Sequence, residues 1–304
     1  MLNTSSKVDL PVISITAGCL PEAWEKAVLA VWDNGLEIKT QYDRPEDPLS
    51  KDATVMVTVA NPFAEPRIHK NFPGGPEELE AYRQEVVDGI HDHWIDAAAG
   101  KWTYTYHERL FAYSPVDDIR NPKARKPFKK VNQIQYIIDA LSKVTHTRRA
   151  QAVTWMPTAD PATDDPPCLQ RIWCRLVADP ASPAGSAVAS GYVLDMNTHW
   201  RSRDLYKAWF MNVYALTDLQ RTIAQRISEK INKPVSVGRY VDISDSLHIY
   251  GSYFGDVSRE VEKMRDGLFS RRAWESTHPV FEMMTAEAKE KLAKDPDWFA
   301  KAKG

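Results

Sequence analysis

Apolar positions recur at two periods along this chain, and the way they alternate predicts its architecture. In residues 132–143 (NQIQYIIDALSK), Ile134, Ile137, Ile138 and Leu141 fall at i, i+3, i+4 and i+7, one face of a helix, with Asn132 as N-cap. Residues 21–34 repeat that spacing, opened by Pro21 and closed by Asn34 and Gly35; residues 76–93 and 205–231 read as two further helices. Alternating, β-branched runs predict strands over 11–17, 36–41, 53–59, 150–155, 169–177, 235–241 and 246–251. Residues 42–52 and 158–167 are polar loops. Residues 178–190 (ADPASPAGSAVAS) read as a Pro-rich surface insertion between two strands. The stretch 286–303 predicts a charged helix facing solvent rather than a buried one. Strands and helices follow no regular βαβα rhythm, so the expected fold class is α+β.

Composition narrows the function. A chain of 304 residues suits one large domain or two small ones and folds without disulfides or metal. Its formal net charge of −2 gives no field for a polyanion, so no nucleic-acid partner is expected, and a substrate phosphate would need a local arginine cluster. The three cysteines, Cys19, Cys168 and Cys174, are too sparse and odd-numbered for a disulfide framework. Residues 1–10 lack a signal-peptide pattern, and no apolar run reaches the ~18 residues of a spanning helix. The expectation is a cytoplasmic protein in a reducing compartment, without a membrane partner.

Several residue types could do chemistry. Cys168 follows Asp164-Asp165-Pro166-Pro167, a rigid approach to a strand start; it is either a small core hydrophobe or a nucleophile that needs cations nearby. Arg148-Arg149 form a paired-arginine turn, and Arg201-Ser202 with Asp204 open the long helix; they either salt-bridge at the surface or fork onto a phosphate. His248 and Tyr250 alternate onto one face of a strand, as its polar side or as hydrogen-bonding partners of a sugar hydroxyl. His91-Asp92-His93 invites a metal reading, but the two histidines do not share a helix face and no H-E-x-x-H or C-x-x-C spacing occurs, so no metal is expected. Trp209, Phe210 and Met211 read as core.

The order Arg148-Arg149, Pro166-Pro167-Cys168, Arg201-Ser202-Arg203-Asp204 with Asn212, then His248-Ile249-Tyr250 resembles the thymidylate synthase family, which includes the pyrimidine nucleotide hydroxymethylases. The best-matching core spans residues 132–253, preceded by a divergent part (1–131) and followed by a helical one (254–304), all within one catalytic domain. The resemblance implies a large mixed sheet with helices on one face and the other face forming an obligate homodimer. It implies attack of Cys168 on C6 of a pyrimidine nucleoside monophosphate, with 5,10-methylenetetrahydrofolate as co-substrate. Arg201 and Ser202 would hold the phosphate, with Arg148 and Arg149 reaching across from the partner and Arg44 as a mobile phosphate arginine. Asn212 would read the base, leaning towards dUMP because its amide can accept from N3–H and donate to O4. His248 and Tyr250 would hold the sugar, while Asp204, Ala208 and Trp102 would face the folate. Glu85 is the candidate general acid, with Glu78, Glu80 and Glu108 as alternatives. Leu169 stands where many members have His, Ala208 where Gly is usual, and residues 295–304 show no counterpart of the tail that folds over the folate. The implied product is thymidylate, with hydroxymethylation of dUMP, dCMP or CMP as the close alternative and a non-catalytic nucleotide binder as the third.

Overall fold

The computed structural model describes residues 9–115, 129–179 and 190–303, so the expected insertion at 178–190 lies almost wholly outside the described residues. The chain runs β1 (Val12–Ala17), α1 (Leu20–Asn34), β2 (Leu36–Ile38), β3 (Ser50–Val59), β4 (Ile68–His69), α2 (Pro76–Asp88), α3 (Tyr106–Phe111), α4 (Gln133–Lys143), β5 (Gln151–Val153), β6 (Leu169–Ala178), β7 (Tyr192–Trp200), β8 (Arg203–Asp204), α5 (Trp209–Ile231), β9 (Val235–Ile249), α6 (Phe254–Asp266), α7 (Phe269–Arg272), β10 (Ala273–Trp274), α8 (Pro279–Lys294) and α9 (Trp298–Lys303). One mixed sheet has the order β1-β3-β9-β7-β6-β5, with β2 on β3 and β8 on β9. β1–β3 and β7–β9 pair in parallel, whereas β3–β9, β6–β7 and β5–β6 are antiparallel. This is the α+β arrangement expected.

The period-two pattern sorts the sheet into two faces. Val55, Val57, Ile172, Cys174, Leu194 and Met196 point inward and join a single core with Trp24 of α1, Ile137 of α4 and Phe210 and Leu219 of α5. The opposite face carries exposed Met56 and Val177 and half-buried Trp173, Val193 and Ile243. Trp24 is fully buried, and its indole N–H donates to the Leu205 carbonyl at 3.0 Å, tying the N-terminal part to the turn before α5.

Five expected elements come out differently, each for a physical reason. The strands expected at 235–241 and 246–251 are one strand, β9, whose polar middle is buried: Asp242 accepts from Arg203 and from the Trp209 indole. The helix expected at 205–231 starts only at Trp209, because Arg203 and Asp204 pair with Leu247 and His248 of β9. The helix expected at 76–93 stops at Asp88, where Gly89 takes a left-handed conformation (φ 70°) that a side chain would strain. The C-terminal helix breaks into α8 and α9 and is not simply solvated: Phe281, Thr285, Ala288 and Leu292 of α8 are buried.

Candidate active site

Cys168 is the residue before β6, at the mouth of the β6–β7 ladder. Its carbonyl accepts from the Arg201 amide at 2.9 Å, which sets Arg201 and Ser202 beside it. The thiol is half-buried, 3.7 Å from the Ser202 hydroxyl. The Arg201 guanidinium donates from Nη2 to the Pro166 carbonyl (2.6 Å), from Nε to the Pro167 carbonyl (3.1 Å) and from Nη1 to Ser202 Oγ (3.3 Å). It therefore clamps the two prolines that deliver the cysteine and brings positive charge within one hydroxyl of the sulfur. The clamp was not readable from sequence.

Next to the thiol opens a cavity of about 700 Å³ lined by Tyr82 and Glu85 of α2, by Trp102, Tyr104 and Tyr106, and by Asp164 and Asp165 of the loop leading to Cys168. This is the size of a pocket for a small organic ligand, roughly 300–1,000 Å³. One lining residue reaches the chain next to the cysteine: the Tyr106 hydroxyl accepts from the Leu169 amide at 3.4 Å. Burial, then the Tyr106 phenol and charge on Cys168, push the Tyr104 hydroxyl far up; burial and then charge on Cys168 do the same to Tyr106. Both phenols stay neutral and able to donate. Neither was singled out from sequence for chemistry.

Asn212, buried in the first turns of α5, donates from Nδ2 to the Tyr82 hydroxyl at 2.6 Å. That bond directs Nδ2 at Tyr82 and leaves Oδ1 to accept from another donor. Tyr82 and Glu85 stand one helical turn apart, on the face of α2 turned to the cavity. Among the four candidate acids, only Glu85 lines this cavity. Glu80 is buried in a pair with Arg83, and Glu108 approaches Arg109 at 3.6 Å. Glu78 lies beside the Gly74 turn.

His248 and Tyr250 come together, ring centroids 4.5 Å apart. Burial pushes the His248 imidazole down to about 4, so the ring is neutral near pH 7. Its Nδ1 lies 3.3 Å from Ser246 Oγ, and its buried Nε2 has no partner among the described residues, so it is available to a bound hydroxyl. Tyr42 of the 39–49 loop meets Tyr250 edge-on at 6.1 Å. Asp43 fixes this loop by accepting from Ser50 Oγ at 2.6 Å, and Gly251 packs so tightly on Pro48 that a Cβ there would lie 1.8 Å from the Pro48 carbonyl oxygen. Arg44 projects from the loop, exposed.

Asp204 accepts from the amides of Tyr206 (2.9 Å) and Lys207 (3.0 Å), holding the turn into α5; burial nonetheless raises its carboxyl above the usual range. Ala208 is the residue before α5 and is half-buried; Trp102 is largely exposed at the cavity rim. Arg148 and Arg149 are not brought to Cys168 of the same chain. They are exposed ahead of β5, where Gln151 pairs with Trp173, far along β6 from its start. The side chains of His91, Asp92 and His93 diverge, to Glu85, to Thr105 and His107, and to Asp297 respectively. Among the described residues no set of three His, Cys, Asp or Glu is placed to hold a metal ion, and no helix is long and apolar enough to cross a membrane.

The thymidylate synthase family profile matches residues 77–288. A provisionally named thymidylate synthase of Methanococcoides burtonii is 27% identical over 236 residues, covering 78% of this chain and 88% of that protein. A protein of the same provisional name from Methanosarcina acetivorans is 26% identical over 236 residues, with the same coverage. Thermostable thymidylate synthase A from Bacillus subtilis shares the fold, with a TM-score of 0.53 and 17% identity over 80% of this chain and 84% of that one.

Proposed function

Since the chain belongs to the thymidylate synthase family, we propose that it transfers a one-carbon unit from 5,10-methylenetetrahydrofolate to C5 of a pyrimidine nucleoside 5′-monophosphate, most simply dUMP to dTMP. The observation that carries this reading is the half-buried Cys168 thiol, 3.7 Å from Ser202 Oγ, behind a clamped Pro-Pro approach and against the wall of the Glu85 cavity. The Cys168 thiolate adds to C6, and the electron pair of the C5–C6 bond moves to C5, the carbon that takes the new unit. Asn212 accepts from N3–H of the base through Oδ1, and the Tyr82 hydroxyl, already accepting from Asn212, keeps its own proton to donate to O4. His248 Nε2 and Tyr250 hold the sugar, and Arg201, Ser202 and Arg44 hold the phosphate. Glu85 serves as the general acid. The folate co-substrate supplies the carbon; Trp102, Asp204 and Ala208 line its place.

The active unit in this reading is a homodimer joined through the sheet face that carries Met56, Trp173 and Val177. Arg148 and Arg149, too far from their own Cys168, then serve the partner's phosphate. Hydroxymethylation is the second reading, because Leu169 and Ala208 replace a polar residue and a glycine near the folate.

The test is mass spectrometry of products from dUMP, dCMP and CMP incubated with methylenetetrahydrofolate. A methylated dUMP product with dihydrofolate is expected. A hydroxymethyl product with tetrahydrofolate favours the second reading. Tight nucleotide binding without release of tritium from C5 overturns both and leaves a non-catalytic nucleotide binder.

A further inference from the structure

His91 is buried and stacked on Trp94, ring centroids 3.7 Å apart and 8° from parallel, with both ring nitrogens engaged. Nδ1 lies 2.8 Å from Glu85 Oε2, and Nε2 lies 3.0 Å from the main-chain carbonyl of Pro296. A carbonyl can only accept, so Nε2 keeps its proton. Nδ1 then faces a carboxyl group with one proton between them: imidazolium beside carboxylate, or neutral imidazole beside carboxylic acid. The two states have the same net charge and differ by one proton shift across a single hydrogen bond.

We propose that His91 is a positioning residue and proton partner of Glu85, and that the C-terminal segment around Pro296 sets its tautomer. When Glu85 gives its proton to the reacting side, a bare Nδ1 lone pair is left opposite a carboxylate. A proton from solvent then returns to the hydrogen bond between them, so the pair is reset for the next turnover. The segment is anchored for this purpose: Asp297 accepts from the Trp94 indole at 2.7 Å and contacts His93 Nε2 at 2.8 Å. Residues 295–297 thus lie behind the acid, buttressing the histidine from the protein side of the cavity.

This inference rests on Glu85 being the general acid, and the experiment separates the two. The ring nitrogens of His91 are read by 15N NMR of the uniformly labelled full chain, assigned by loss of the signal in His91→Phe. A protonated Nε2 is expected, with Nδ1 protonated or hydrogen-bonded. A bare Nε2 beside a protonated Nδ1 overturns the proposal whether or not the protein is active. His91→Phe keeps a ring to stack on Trp94 and loses the proton. It is expected to lower kcat for tritium release from C5 of dUMP about tenfold to a hundredfold with KM for the nucleotide unchanged. Asp297→Ala, which frees the segment, is expected to lower it by a smaller factor. If wild type releases tritium and His91→Phe matches it, His91 has no such role and the functional reading stands. If wild type releases none, that reading falls, and the nitrogen signals still decide the tautomer.

Discussion

Cys168 and Cys174 belong to the same strand run, yet one end of it offers chemistry and the middle offers none. Cys174 points into the core, fully buried, and burial alone pushes its thiol up to about 12. It is a small hydrophobe at any physiological pH. Cys168 stands at the mouth of the same ladder, half-buried, with a hydroxyl and a guanidinium next to it. Of the two alternatives weighed for Cys168, Cys174 illustrates the core hydrophobe, and the proposed function gives Cys168 the other. Whether the side chain meets the helices or the end of the sheet decides between them.

The comparison is most directly broken by exchanging the sulfurs. Cys168→Ala is expected to lower tritium release from C5 at least about a thousandfold. Cys174→Ala should leave that rate unchanged and cost about 1 kcal/mol of stability in urea unfolding. Turnover retained by Cys168→Ala would leave the covalent mechanism without support.

A smaller effect is expected from loosening the approach to the reactive sulfur. Arg201→Ala frees the Pro166 and Pro167 carbonyls and should reduce kcat about tenfold to a hundredfold, as misplacement of a reacting group by ~1 Å does. Arg201→Lys should not restore it, because an ammonium does not reproduce the planar fork that spans both carbonyls. Equal kinetics for wild type and Arg201→Lys would show that only the charge matters.

A further effect, on stability rather than rate, concerns His248, where burial acts on an imidazole as it acts on the Cys174 thiol. Its folded value is about 4, below the ~6.5 of an unfolded histidine. The unfolded chain takes up the proton first, so this group's contribution is whole above pH 6.5 and is lost as pH falls towards 4, by up to about 1.4 kcal/mol per unit. His248→Gln should flatten that part of the profile of urea midpoint against pH. An unchanged slope would mean that the ring is solvated.

Much of this was legible in the sequence, and the gaps have identifiable causes. Ile134, Ile137, Ile138 and Leu141 announced α4 because a helix face is a local pattern. Most motif residues between Cys168 and Tyr250 were legible because they lie at strand ends and turns, where side chains are free to be chosen for chemistry; Asn212, inside α5, is the exception. The middle of β9 was unreadable because Asp242 and Ser244 look like a loop until Arg203 and Trp209 are brought to them from elsewhere in the chain. His91 resembled a metal ligand in sequence because the left-handed turn at Gly89 that folds it back onto Glu85 is not visible in a list of side chains. Glu85 stands apart from the other candidate carboxylates only in the fold, where α2 presents it to the cavity together with Tyr82.

The indole of Trp24 has a consequence for anyone building chimeras in this family. It comes from the divergent N-terminal third, yet it holds the carbonyl of Leu205, the residue after Asp204. Grafting residues 1–38 of a relative onto this chain would therefore alter the footing of Asp204, the proposed folate contact, although that segment carries none of the residues assigned to a ligand.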